Sequence, residues 1–293
     1  MNVMLIGANG QLGSDLQRVL KDQGVNVEPL THRELDVCHT EQVEKTIASV
    51  KPNVVISTAA FHKVEVCETE PATSFAVNAL GPWNLARVCR QQDAVLVHFS
   101  TDYVFNGGQK KPYRETDRPG PVNVYGISKL AGEHMVASQW SRHFVVRTCG
   151  LYGVAGSAGK GGNFVETMLK KASERQPIHV VHDQVLTPTF TGDLAETVSQ
   201  LIQRSQFGLY HVTAEGECSW YEFAQKIFEL EDLQVDLSPV SSAEFPSPVR
   251  RPSYSVLSKQ KLNDLGLTMP HWEEGLRRYL AARRLKDNLV SAT

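Results

Sequence analysis

The sequence has no window of about 18 uninterrupted apolar residues, so no membrane-spanning helix is expected and no membrane partner either. It has no excess of one charge: 30 Lys+Arg stand against 32 Asp+Glu, a formal net charge of −2. A field that would draw phosphate backbones over long range is therefore missing, and nucleic acid is not an expected partner. Cysteine is sparse and unpaired. The five residues Cys38, Cys67, Cys89, Cys149 and Cys218 are odd in number, widely spaced and free of any CxxC pair. That spacing argues against a zinc or disulfide framework and for free thiols in a reducing compartment. Met1 to Gly10 lacks a basic region, a long apolar core and a small-residue cleavage site, so a cytoplasmic protein is expected. Internal repeats and low-complexity segments are lacking as well.

What is present is 293 residues, 41% of them hydrophobic, enough for one large α/β domain or a two-lobed one. Short β-branched runs alternate with helical patterns, which predicts parallel strands joined by crossover helices. Val3 to Ile6 reads as the first strand, and Leu16, Val19 and Leu20 mark one face of the helix after it. Val25 to Leu30 is a second strand; Val43, Ile47 and Val50 recur at helical spacing until Pro52. Val54 to Ile56 is a buried strand, Phe75, Leu80, Leu85 and Val88 predict one long helix, and Val95 to Phe99 and Phe144 to Val146 are further strands.

The fold class expected is α/β, a doubly wound parallel Rossmann sheet with a smaller C-terminal substrate lobe. The sheet domain is placed at residues 1–148 with part of 181–204. The lobe is placed at 149–180 and 205–285, and 286–293 is a candidate disordered tail. The glycine-rich run Gly153 to Gly162 reads as a loop. Ser238 to Pro252 carries Pro239, Pro246, Pro248 and Pro252 and reads as an ordered surface loop.

Gly7-Ala8-Asn9-Gly10-Gln11-Leu12-Gly13 follows a strand and opens a helix. In that setting glycines allow a tight turn and close backbone approach, and the helix N-terminus offers N–H groups to a pyrophosphate. The plainer reading is an ordinary strand-to-helix turn. The second strand ends in Leu30-Thr31-His32-Arg33, without the acidic residue that would hold the ribose hydroxyls of NAD. Arg33 can reach a 2′-phosphate, so NADP(H) is the expected cofactor, with NAD(H) also open; a solvated surface arginine is the alternative. Asp36, followed by Val37, suits an adenine amine, or else caps the helix that begins near Thr40.

Tyr125-Gly126-Ile127-Ser128-Lys129 sets a phenol and an ammonium one helical turn apart. A phenol with a pKa near 10 is a poor acid at neutral pH, and a neighbouring ammonium brings it toward the working range. Ser100 and Thr101 close the strand Val95 to Phe99 at its carboxyl end, where open α/β sheets keep their ligands. Thr101 there can bond the same substrate oxygen as Tyr125, or merely satisfy a local backbone group. Taken in order, the glycine loop, the hydroxyl-bearing strand end and the Tyr-Lys helix point to a dehydrogenase.

The spacing GxxGxxG resembles the extended short-chain dehydrogenases rather than the ordinary GxGxxG. With STDYVF (Ser100 to Phe105), NVYGISKLAGE (Asn123 to Glu133) and RTCGLYG (Arg147 to Gly153), the chain resembles the dTDP-4-dehydrorhamnose reductases. GNFV (Gly162 to Val165), DQVLTPT (Asp183 to Thr189), GLYHV (Gly208 to Val212), RRPSYSVL (Arg250 to Leu257) and PHWEEGL (Pro270 to Leu276) continue the likeness over almost the whole chain. The resemblance implies a catalytic triad of Thr101, Tyr125 and Lys129. It implies that Gly10, Gln11, Leu12, Asp36, Val37, Ala60, Phe61, His62, Phe99, Tyr125 and Lys129 line the cofactor, to which the glycine loop adds Gly7, and that Thr101 and Asp102 face the sugar. The implied activity is reduction of the C4 ketone of a dTDP-linked sugar in cell-surface polysaccharide synthesis, by a monomer or homodimer.

Two departures stand out. Gly150 occupies a position where some members carry a tryptophan against the nucleotide-sugar, so a wider pocket is expected. The loop Val154 to Gly162 is longer than in compact members. Asp15 and Asp193 stand near positions that hold a magnesium ion between subunits in some members, but no third ligand is evident, and no metal is expected. Two other readings are open: another nucleotide-sugar 4-ketoreductase or epimerase, and an NADP-binding regulatory subunit resembling the β-subunit of methionine adenosyltransferase.

Overall fold

Strand β1 (Asn2–Ile6) buries Val3, Met4, Leu5 and Ile6 almost completely, because helices cover both faces of a parallel sheet and leave no water-facing side. The computed structural model describes residues 1–156, 162–244 and 247–291. In it, β1 pairs with β2 (Asn26–Leu30) on one side and β3 (Val54–Ser57) on the other. Beyond β3 come β4 (Val95–Thr101) and β5 (His143–Thr148), all parallel. The chain leaves β1 for β2 and then crosses to β3, so strand order reverses at β1, and the carboxyl ends of β1, β3 and β4 open onto that crevice.

A sixth strand, Gly208–His211, pairs in parallel with β5 and completes the sheet. The sequence pattern had put these residues in the substrate lobe. Four residues of strand pattern carry no mark of which sheet they will join.

Helix α1 (Gln11–Asp22) buries Leu12, Leu16, Val19 and Leu20, the face its spacing predicted. In α2 (Thr40–Val50) Val43 and Ile47 are buried, and Lys51 turns into the left-handed region at φ 48° before Pro52. The long helix predicted through Phe75 and Val88 is instead three pieces: Pro71–Phe75, a π turn at Ala76–Leu80, and Gly81–Gln91. Leu85 and Val88 are buried, but Phe75 is 37% and Leu80 48% exposed. A π turn takes one residue more per turn, so the apolar stripe slips around the axis in a way that regular spacing does not reveal. The turn holds the buried Asn78, whose Oδ1 accepts from the Phe61 N–H and whose Nδ2 donates to the Phe61 carbonyl, both at 2.9 Å.

The second lobe is built from short strand pairs, Ile178–Val181 with Leu237–Val240 and Val185–Leu186 with Cys218–Ser219. Pro239 therefore stands in a strand and not a loop, tolerated there because its partner strand lies on one side only. The helices Phe164–Ser173 and Trp220–Leu230 pack over a cluster that includes Tyr152, Phe190, Phe223, Trp272 and Tyr279. The last helix, Trp272–Ser291, runs into the segment expected as a disordered tail. Among the described residues no helix is long and apolar enough to cross a membrane.

Helix Val124–Gln139 is fixed to the sheet by a buried ion pair. Arg147 of β5 donates from Nε to Glu133 Oε1 at 2.8 Å and from Nη2 to Oε2 at 2.6 Å, and Ser100 of β4 donates to the same carboxylate. Both partners are nearly sealed from water, at 6% and 2% exposure. Removing one partner leaves a buried charge uncompensated, so Arg147→Met is expected to cost about 3–5 kcal/mol in urea unfolding. The double variant with Glu133→Met should lose clearly less than the sum of the two single losses; additivity would show that the residues do not act as a pair.

Candidate active site

Gly7 begins the turn out of β1 with φ +79°, and the Gly7 and Ala8 amides both donate to the Leu30 carbonyl at the end of β2. A Cβ at Gly13 would stand 2.1 Å from the Gly7 carbonyl oxygen, so the turn and α1 touch backbone to backbone. Gly10 caps α1 without any side-chain hydrogen bond, and the first turn holds no acidic residue. The first amides of α1 thus keep their capacity for an anion. Gln11 Oε1 is buried there without a partner.

In front of this loop lies a cleft of about 1140 Å³, walled by the strand ends on one side and by the second lobe on the other. It gathers Gly10, Gln11, Leu12, Ala60, His62, Phe99, Thr101, Asp102, Tyr125 and Lys129 from the sequence reading. Gly7, Arg33, Asp36, Val37 and Phe61 are not in its wall. Gly7 shapes the turn, and the Phe61 backbone is clasped by Asn78. Val37 is buried, close against Gly81. Asp36 Oδ1 accepts from the Cys38 N–H at 2.9 Å, a local turn contact, and Arg33 is exposed. The cleft also includes Cys149, Phe164, Trp220, Arg250 and Arg251, which the sequence reading did not single out. All but Trp220 lie inside the segments quoted for the resemblance, but only the folded chain brings them to one wall.

Thr101 ends β4, and Tyr125 and Lys129 come from the first turns of helix Val124–Gln139. Asn123 caps that helix by accepting from the Gly126 N–H at 2.8 Å, while its Nδ2 donates to the Arg250 carbonyl at 3.0 Å. A Cβ at Gly126 would come within 2.2 Å of the Tyr103 carbonyl oxygen, so glycine lets the helix lie directly against the segment after β4. The Tyr125 ring meets Tyr103 edge to face, with centroids 5.9 Å apart. Thr101 Oγ1 lies within hydrogen-bond distance of Asp102 Oδ1, at 3.0 Å, and accepts from the Tyr103 N–H at 3.2 Å. The Cys149 thiol donates to Asp102 Oδ2 at 3.0 Å.

Burial raises the Tyr125 phenol above its ordinary value; its hydrogen bond with Thr101 pulls the other way, and the Asp102 charge adds to the rise. The depression by Lys129 that the sequence suggested is not seen. Burial instead lowers Lys129 itself to about 8, against the opposing charge of Glu133. A buried ammonium loses hydration that no single carboxylate restores.

Gly150 has φ +55°, and a Cβ there would meet Leu186 Cδ1 at 3.0 Å and Pro188 Cα at 3.1 Å. The backbone itself therefore requires glycine, apart from any question of pocket width. Of the long loop, residues 157–161 lie outside the described residues. Asp15 Oδ2 accepts from Thr191 Oγ1 at 2.6 Å, and Asp193 pairs with Arg278 at 2.8 Å. Among the described residues no group of three or more His, Cys, Asp or Glu could hold a metal ion.

The profile of the RmlD substrate binding domain matches residues 1–285. The chain is 40% identical over 281 residues to the spore coat polysaccharide biosynthesis protein SpsK of Bacillus subtilis, covering 96% of this chain and 97% of that one. A dTDP-4-dehydrorhamnose reductase structure from Clostridium acetobutylicum superposes with a TM-score of 0.93 at 40% identity, over 97% of this chain and 100% of that one. Another, from Bacillus anthracis in complex with NADP, gives a TM-score of 0.90 at 40% identity, over 96% and 98% of the two chains.

The buried position of Lys129 has a measurable outcome. Its ammonium should titrate near pH 8 when followed by NMR at the side-chain carbon next to Nζ, well below an exposed lysine. A midpoint above pH 10 would contradict the burial described here.

Proposed function

The chain belongs to the RmlD substrate binding domain family, and from that membership we propose that it reduces the C4 ketone of dTDP-4-dehydro-L-rhamnose to dTDP-L-rhamnose with NADPH. The observation that carries this reading is the meeting of Thr101, Tyr125 and Lys129 in one cleft with the phosphate loop and the second lobe. The likeness to reductases of that name, one of them holding NADP, supports both substrate and cofactor.

The residues fit the cofactor. The uncapped start of α1, the glycine contacts of the loop and the unpartnered Gln11 Oε1 suit a pyrophosphate at Gly10, Gln11 and Leu12. Lys129 and Tyr125 would hold the nicotinamide ribose, with Ala60, His62 and Phe99 along the ring. Asp36, Val37 and Phe61 would flank the adenine, and Arg33 would take the 2′-phosphate. Bound there, the cofactor supplies the hydride that the ketone carbon accepts.

The side chains do the remaining work. Tyr125 gives its proton to the ketone oxygen as charge develops on it, and Thr101 bonds the same oxygen. Lys129 would act through the nicotinamide ribose that it holds beside Tyr125. Phe164, Trp220 and Arg250 of the second lobe face the cleft where the nucleotide end of the sugar would lie, and the two lobes together shield the reacting atoms from water. The working division is a cofactor part at 1–148 with part of 181–204 and 208–211, and a substrate lobe from the rest of 149–285. In this reading it is a cytoplasmic enzyme acting as a monomer or homodimer.

Three outcomes test this reading. Loss of NADPH absorbance on adding dTDP-4-dehydrorhamnose, with dTDP-L-rhamnose as product, is expected of the wild type, and Tyr125→Phe should cut turnover by about 10²- to 10⁴-fold with cofactor affinity little changed. An epimerase would convert the sugar without net loss of NADPH, and a Phe variant of near wild-type rate would remove Tyr125 from the chemistry. Arg33→Ala should weaken NADPH binding more than NADH binding, since only NADPH offers a phosphate to the guanidinium. Equal losses, measured by fluorescence titration, would reject that role.

A further inference from the structure

Thr101 has one hydroxyl proton and more than one group that competes for it. Its Oγ1 lies 3.0 Å from Asp102 Oδ1 and accepts from the Tyr103 N–H at 3.2 Å, and both Thr101 and Tyr125 line the cleft. An ionised carboxylate only accepts. Facing it, Thr101 must give up its proton to Asp102 and has none left for a substrate oxygen. If Asp102 is protonated on Oδ1, the direction reverses. Asp102 and the Tyr103 amide then fill both lone pairs of Thr101, and the hydroxyl protons of Thr101 and Tyr125 are both free to point at the ketone.

The surroundings of Asp102 favour the neutral acid. It is 3% exposed. The groups facing it are the Cys149 thiol, the Ser255 hydroxyl and the phenols of Tyr103 and Tyr125, none of them a cation. Arg251 is spent on Tyr103 Oη and Glu65. Burial outweighs the hydrogen bonds from Cys149, Ser255 and Thr101 and moves the carboxyl above its ordinary range. An acid in such a site can stay protonated and serve as a hydrogen-bond donor.

We propose that Asp102 works as a neutral acid, a positioning residue whose carboxyl proton is donated to Thr101 Oγ1 and thereby turns the Thr101 hydroxyl toward the substrate oxygen. No proton leaves Asp102 in the reaction. The Tyr125 O–H bond breaks, a bond forms from that proton to the substrate oxygen, and the electron pair stays on the phenolate. The role in turnover rests on the reduction proposed above.

The test joins spectroscopy to kinetics. The infrared difference between wild type and Asp102→Asn at neutral pH should contain a carboxylic acid C=O band; a carboxylate pair in its place overturns the proposal. The Asn side chain can donate from Nδ2 to Thr101 but cannot ionise, whereas Asp102→Val cannot donate at all. Turnover of the Val variant should fall about 100-fold below that of the Asn variant, the scale of losing one oxyanion donor, with the KM for NADPH unchanged. Any fall in wild-type turnover that reflects Asp102 ionisation should be missing from the Asn variant. In a Thr101→Val background the Asn and Val variants should turn over equally, and a surviving gap would show that Asp102 does not act through Thr101. If Asp102→Val does not fold, the infrared band and the pH profile of the Asn variant still decide. A wild type inactive on the ketone would refute the reduction reading instead, and the infrared band would still report on Asp102.

Discussion

The buried pair between Glu133 and Arg147 is the constraint on which the site depends. Glu133 follows Lys129 by one helical turn and Tyr125 by two, so the carboxylate and both of these side chains share one helix face. Its partners come from β5 and, through Ser100, from the residue just before Thr101. One carboxylate thus sets the height of the Tyr-Lys helix against the strand end that carries Thr101. Arg147 also stacks over the Phe105 ring at 5.0 Å, extending the grip past the turn after β4. Buried ion pairs often add little net stability, because desolvation offsets attraction. What this one supplies is register: sliding the helix by a residue would leave two charges unpaired beneath the sheet.

The same pair bears on the chemistry. Glu133 is the group that opposes the fall in the Lys129 pKa, while burial drives it. His98, beside them in the interior, has neither ring nitrogen bonded and is held neutral by burial and by the Lys129 charge.

Much of the fold was legible in the sequence because its signals are local. Apolar runs at β1, β3 and β4 need no partner to be read, and the buried face of α1 follows from a 3.6-residue period. Glycines between strand and helix, and a tyrosine four residues before a lysine, are likewise short-range patterns. What escaped was long-range or aperiodic. The π turn at Ala76–Leu80 breaks the period on which the helix reading relied. The strand Gly208–His211 finds its place only against β5, some sixty residues earlier. The effect of Lys129 on Tyr125 was inferred from spacing alone, and burial, which spacing does not report, proved the stronger influence. The cleft wall beyond the catalytic groups was hidden for the same reason, since Cys149, Phe164, Trp220 and Arg250 come from four separated segments.

The C-terminal segment is sewn into the sheet domain rather than laid beside it. Asn123 reaches the Arg250 carbonyl, Gly107 accepts from the Ser253 hydroxyl, and Tyr113 exchanges backbone bonds with Val256 and Ser258. One end of this stretch walls the cleft, while the other runs back beneath the turn after β4. Such a lobe is not a detachable cassette. A recombination that exchanged it between relatives would sever contacts on both sides of the junction.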